Sequence, residues 1–129
     1  MRVLITGAAG FLGSECVKQF KARAHDVTTT DRTGPVDLPG DLADATFTAS
    51  LPNVDVVVNC AAVQYVTKGV PLLFRKSFFE RNNVLAARNL CEHYRFQGSH
   101  FIHVGTSMMY RQTGQDQYDI HSRMGGEGV

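Results

Sequence analysis

Eight residues near the start, Thr6-Gly-Ala-Ala-Gly-Phe-Leu-Gly13, have the types and spacing to hold a phosphate. They follow the apolar run Val3-Leu4-Ile5 and open a helical pattern, so the order is strand, glycine turn, helix N-terminus. Gly7 suits a tight turn where a Cβ would clash. Gly10, next to Ala9, lets the backbone come close to an anion. Phe11 and Leu12 begin the helix, and Gly13 lets that helix pack against the sheet. The free N–H groups and positive dipole end of the helix then face the anion. A second, β-branched strand ends in Asp31, 18 residues after Gly13. That is close to the spacing of a carboxylate that accepts hydrogen bonds from the adenosine ribose of a dinucleotide. The chemistry implied is non-covalent capture of a dinucleotide by its pyrophosphate and ribose. The plainer alternative, a glycine-rich turn of some other α/β protein, leaves the agreement of strand, turn, helix and acid unexplained.

These residues need a sheet and helices to hold them. Arg2 to Thr6 reads as a buried strand, and Phe11 to about Ala24 as a helix with Leu12, Cys16 and Phe20 on one face and Val17 beside them. Asp26 to Thr30 reads as the second strand. Thr33 to Gly40 is mostly loop with a short strand near Val36, and a short helix starts near Asp44 and stops before Pro52. Val54 to Cys60 is a strong buried strand, and Ala61 to Val70 a loop. A helical pattern runs from Pro71 to about Phe96, as one helix or two, with Gly98 as its stop. His100 to Gly105 is a further strand, and the tail from Met108 is polar and glycine-rich. Alternating strands and helices imply right-handed βαβ units. The expected fold is a doubly wound, Rossmann-like α/β domain with a parallel sheet of about five strands in order 3-2-1-4-5. Its ligand would lie across the carboxyl ends of the strands.

The chain has 129 residues, enough for one domain with a core. Apolar residues at 43% and charged residues at 19% are ordinary for a soluble globular protein. A net charge of +1 gives no case for nucleic acid or an anionic membrane. No apolar run reaches membrane-spanning length, and the start does not read as a signal peptide. Cys16, Cys60 and Cys91 are scattered in apolar surroundings, which suits buried thiols in a reducing cytoplasm. His100 and His103 are three apart in a strand and should face opposite ways, and His93 suits a helix end, so no metal site is expected.

Several stretches together resemble the extended short-chain dehydrogenase/reductase family, the NAD-dependent sugar epimerases and dehydratases. Thr6 to Gly13 resembles its Thr-Gly-x-x-Gly-x-x-Gly turn, and Asp31-Arg32 its ribose-binding acid and the residue after it. Asp41-Leu42 resembles its adenine-contacting pair, and Asn59-Cys60-Ala61-Ala62 the small-residue turn beneath the cofactor ribose. Asn83-Val-Leu-Ala-Ala-Arg-Asn-Leu90 resembles its Asn-Val-x-Gly-Thr-x-Asn-Leu helix, and Val104-Gly-Thr-Ser-Met-Met-Tyr110 its Ser/Thr-x-x-x-Val-Tyr segment. The resemblance implies NAD, because Asp31 repels a 2′-phosphate. Arg32 keeps NADP open, since a guanidinium there could pair with that phosphate or simply face solvent. Asp41 would orient to adenine or act as a cap. Ala61 and Ala62 would leave room for the cofactor, or only pack the strand end. Asn83 would tie its helix to the turn after the fourth strand. Thr106, with Ser107 as its neighbour, would hydrogen-bond the substrate oxygen.

The family's Tyr-x-x-x-Lys pair does not occur: Tyr65, Tyr94, Tyr110 and Tyr118 all lack Lys four residues on. The family spacing from Thr106 places that tyrosine at about residue 130. The expectation is therefore a cofactor-binding half, residues 1–129, that stops before its proton-transfer pair and substrate lobe and turns nothing over alone. The complete enzyme would move a hydride at a C–OH or C=O carbon of a nucleotide sugar. A non-catalytic dinucleotide-binding sensor or subunit, and a reductase of non-sugar carbonyl compounds, are the other readings. Phe74, Phe78 and Phe79 are expected in the core rather than on a dimer face. The resemblance also implies a homodimer, through the Asn-Val helix, as one arrangement.

Overall fold

The computed structural model describes residues 1–64, 69–106 and 121. Five strands form one parallel sheet: β1 (Arg2–Thr6), β2 (Asp26–Asp31), β3 (Leu38–Pro39), β4 (Val56–Asn59) and β5 (His100–His103). Their order is β3-β2-β1-β4-β5, the doubly wound arrangement expected from the sequence. Helices α1 (Phe11–Ala22), α2 (Ala45–Ala49), α3 (Arg75–Phe79) and α4 (Ala86–Tyr94) connect them, with a π-helical turn, Glu80–Leu85, joining α3 to α4.

Alternation along the strands builds a core on each face. Val3 and Ile5 of β1 join Val56 and Val58 of β4 under Cys16, Val17 and Phe20 of α1. Leu4 and Val57 point the other way, against Leu42, Leu51, Ala86, Leu90 and Tyr94. Ala86, Leu90 and Tyr94 fall at i, i+4 and i+8, so α4 presents one apolar stripe to the sheet. The Tyr94 hydroxyl donates to the Pro52 carbonyl at 2.8 Å, which keeps that buried oxygen paired. Burial raises its pKa to about 12, so it stays a donor.

Several boundaries differ from the sequence reading, for local reasons. Leu12 leaves the α1 stripe and is 44% exposed, because the helix meets the sheet only from Gly13 on. The third strand forms at Leu38–Pro39, while Val36 packs against the core. Pro71 does not start the helix; Phe74, with φ of 58°, breaks the chain just before Arg75. Phe74 is 82% exposed and Phe78 and Phe79 are only partly covered, so these three are not core residues. The cysteines also depart from expectation: Cys91 is exposed, and the sheet brings Cys16 and Cys60 together. No helix among the described residues is long and apolar enough to cross a membrane.

Candidate functional site

The carboxyl ends of β1, β2 and β4 open into a cleft whose floor is the glycine turn. Gly7 has φ of +62°, and a Cβ there would lie 2.8 Å from the backbone of Cys60 and Ala61. Its glycine therefore serves both the turn and the close approach of the segment after β4. A Cβ on Gly13 would stand 2.0 Å from the Gly7 carbonyl oxygen. Glycine at this position is thus what lets α1 begin directly on the turn. Gly10 N-caps α1, and no side chain caps that end. The first-turn N–H groups are left for an anion, with the helix dipole favouring it.

Asp31 locks the turn to β2. Its Oδ2 accepts the Ala9 N–H at 3.1 Å and its Oδ1 the Arg32 N–H at 2.7 Å. Beyond β3, Asp41 Oδ1 accepts the Ala43 N–H at 2.9 Å and Oδ2 meets Arg81 Nη2 at 3.0 Å. Burial pushes the Asp41 pKa up, but the Ala43 N–H and the Arg81 guanidinium outweigh it, and the carboxyl ends below its ordinary value. The side of the cleft next to β2 and β3 thus holds two carboxylates, Asp31 and Asp41.

On the other side, Thr6 Oγ1 donates to Asn59 Oδ1, and the Ala61 N–H lies 3.2 Å from Thr6 Oγ1. Asn59 and Thr6 are buried and pin the ends of β4 and β1 together. Asn59 Nδ2 reaches His103 Nδ1 at 3.0 Å, extending the link to β5. Burial and the neighbouring Cys16 thiol push Cys60 up to about 11, so it lines the cleft as a neutral thiol and not as a nucleophile. Asn83 accepts the Val63 N–H at 2.8 Å and donates to the Val63 carbonyl at 3.0 Å. It ties the helix to the segment after β4, as its family counterpart is expected to do.

Gly7, Gly10, Asp31 and Arg32 face this one cleft, as do Asp41, Leu42 and Cys60 to Ala62. Leu42 is also a core residue, 5% exposed. Ala9 and Gly13 belong to the turn but are not among the residues lining the cleft, and Asn83 acts through Val63. Phe11, at 98% exposed, and Leu12 stand outside the cleft. Thr106 lies exposed three residues past β5 and does not line it, and Ser107 falls outside the described residues. The sequence reading quoted Thr6 and Asn59 within their motifs without giving either a role, and it missed Gly40, Arg81 and Asn82. Thr6 and Asn59 carried a signal, a polar residue closing each of two buried apolar runs. Gly40, Arg81 and Asn82 carried none, because their roles depend on which loops the fold brings to them. This cleft has a volume of about 120 Å³. That is below the roughly 300–1,000 Å³ of a full ligand pocket. No group of three or more potential metal ligands occurs among the described residues.

Residues 3–124 match the family model described as NAD dependent epimerase/dehydratase family. An epimerase family protein, SDR39U1 of Bos taurus, is 44% identical over 62 residues, which is 47% of this chain and 20% of that protein. The dTDP-4-dehydro-6-deoxy-D-allose reductase of Streptomyces bikiniensis is 34% identical over 79 residues, 47% of this chain and 24% of that protein. Among solved structures, MoeE5 in complex with UDP-glucose and NAD is 30% identical, with a TM-score of 0.70 over 86% of this chain and 38% of that one. The chain thus spans about a fifth to a quarter of the length of these curated relatives.

Proposed function

Since this chain belongs to the NAD-dependent epimerase/dehydratase family, we propose that its cleft binds the adenosine and pyrophosphate portion of NAD for an oxidoreductase acting on a nucleotide sugar. The observation that carries this reading is the joining of two devices by one hydrogen bond. The uncapped start of α1 sits on the glycine turn, and the Ala9 N–H of that turn is held by the Asp31 carboxylate. One device takes the pyrophosphate charge, and the other accepts from the ribose hydroxyls. A cradle that leaves no room for a Cβ at Gly7 or Gly13 fits a backbone brought close to phosphate. When bound, NAD supplies the nicotinamide that exchanges hydride with a C–OH or C=O carbon.

The chain's own residues bind and orient. Ala61 and Ala62 leave space beside β4, and Asn83 fixes the segment that carries them. Thr106 would hydrogen-bond the substrate oxygen from the end of β5. Within these 129 residues no Tyr has Lys four positions on, so proton transfer is not assigned to this stretch. The nucleotide-sugar assignment is supported by MoeE5, whose structure holds UDP-glucose and NAD, and by the dTDP-sugar reductase. Isothermal titration of the purified chain with NAD, AMP and UDP-glucose tests the reading. Saturable NAD binding that weakens at least tenfold in Asp31→Ala is expected. Binding that is absent, or indifferent to Asp31, would overturn it. So would turnover of a sugar substrate by these 129 residues alone, since none of their tyrosines has a lysine four positions on.

A further inference from the structure

In the π-helical turn Glu80–Leu85, the three polar side chains that follow Glu80 each hold a different loop of the cleft. Arg81 pairs with Asp41 after β3, Asn82 holds Arg32 after β2, and Asn83 grips Val63 after β4. Consecutive residues of a regular α-helix point about 100° apart. Widening the helix at this turn helps three neighbours reach one concave surface, and such π-turns recur at functional sites.

The middle contact bears on cofactor choice. Arg32 Nη1 donates to Asn82 Oδ1 at 2.9 Å. The Asn82 amide is itself fixed, because its Nδ2 donates to the Phe78 carbonyl at 2.8 Å, leaving Oδ1 to face Arg32. Both residues line the cleft. Asp31, the neighbour of Arg32 in sequence, accepts backbone N–H groups and no bond from the guanidinium. The Arg32 side chain is therefore drawn across the cleft toward the helix rather than folded back over β2.

We propose that Asn82 is a specificity-determining positioning residue. It anchors the Arg32 guanidinium away from the ribose 2′ position, so that Asp31 alone meets that position and a 2′-hydroxyl is selected over a 2′-phosphate. This rests on the dinucleotide reading above. A phosphate is best held by the two-pronged face of a guanidinium. The Asn82 amide oxygen is neutral, so this contact does not offset the guanidinium charge. What Asn82 removes is the freedom of the fork to turn. An anchor of one hydrogen bond to a charged group corresponds to roughly a tenfold bias.

The test is the ratio of NADP to NAD dissociation constants, measured by titration calorimetry at fixed ionic strength on the full chain and on Asn82→Leu, Asn82→Asp, Arg32→Ala and Asn82→Leu/Arg32→Ala. Releasing the anchor in Asn82→Leu should improve NADP relative to NAD about tenfold. Asn82→Asp, close in shape, holds Arg32 harder and adds a negative charge, so it should move the ratio the other way. The gain in Asn82→Leu should vanish when Arg32 is also replaced. An unchanged ratio in both Asn82 variants, or a gain that survives without Arg32, would overturn the proposal while leaving NAD binding intact. Failure of the unmodified chain to bind either dinucleotide would instead remove the functional reading, and this proposal with it. Far-UV circular dichroism of each variant separates these outcomes from loss of fold.

Discussion

Replacing Gly7 with Ala and, separately, Gly98 with Ala isolates what the glycine turn contributes. The two glycines have similar backbones, with φ of +62° and +73°. Each replacement puts an L-residue into the left-handed region, at about 1–2 kcal/mol. Each also restricts the unfolded chain to the same degree, so that effect cancels between them. The surroundings differ. Nothing lies within 4 Å of a Cβ at Gly98, whereas one at Gly7 would meet Ala61 Cα, Ala61 N and the Cys60 carbonyl carbon at 2.8 Å. Those are backbone atoms held by Thr6 and Asn59, so they cannot swing aside as a side chain would. Forcing such a contact costs about 1–3 kcal/mol. Gly7→Ala should therefore be less stable than Gly98→Ala by about 1–3 kcal/mol. With a urea dependence of roughly 1–3 kcal/mol per molar, that is a midpoint lower by about 1 M. The chain has no Trp, so the transition is best followed by far-UV circular dichroism. Gly7→Ala should also lose NAD affinity while Gly98→Ala keeps it. Equal midpoints for the two variants would show that the β4 segment yields freely, and would refute the account of the cleft as a rigid cradle.

Asn83→Ala should cost about 1–3 kcal/mol, because the Val63 N–H and carbonyl at a buried residue lose both partners. Asn83→Asp, which keeps only the acceptor, should fall between, and a thermal melt of the three proteins orders them. The acid limb of stability should involve Asp37. Its carboxylate accepts from Thr29 Oγ1 and from the Thr29 N–H, and these bonds hold its pKa below the ordinary 3.8. The folded chain then binds that proton less tightly than the unfolded one. The contribution is complete above about pH 4 and is lost as pH falls through the depressed folded value. Asp37→Asn should flatten the fall in melting temperature below about pH 4; an unaltered acid limb would show that the Thr29 bonds do not hold in solution.

The parts legible in the sequence share a physical origin. Gly7 and Gly13 answer to the chain's own backbone within a few residues, and Val3-Leu4-Ile5 and Val56-Val57-Val58 have no choice but burial. Asp31 was legible because a parallel sheet fixes where the next strand must end. The helical segment 71–96 misled at its start. Its periodicity continued through Pro71 to Phe74, but nothing local marks the left-handed Phe74 or the π-turn. Both depend on how α3 meets the loops, which is tertiary. The expectation of a phenylalanine core failed for the same reason, since period describes a face and not what covers it. Arg81 and Asn82 look like any solvated helix residues until the loops after β2 and β3 are placed beside them.

Strand order adds a constraint on what spans the site in the proposed function. Asp31 ends β2 and Thr106 follows β5, with β1 and β4 between them. Neighbouring strands lie about 4.8 Å apart, so three spacings separate the two by roughly 14 Å along the sheet edge. A single nucleotide whose ribose sits at Asp31 puts its phosphate at the glycine turn of β1, one strand away. Reaching the hydroxyl beyond β5 takes a second nucleotide joined through that phosphate. In the proposed function the joint would fall at the glycine turn, where a Cβ on Gly7 or Gly13 would meet backbone at 2.8 or 2.0 Å. The side proposed for adenosine is closed by Asp31, Arg32, Asp41 and the π-turn. The far side is lined, among the described residues, by Cys60, Ala61, Ala62 and Val63, with the exposed Thr106 beyond β5. In the proposed function, the charged and amide side chains of this chain gather at the adenosine end of the cofactor, and small side chains lie toward the nicotinamide end.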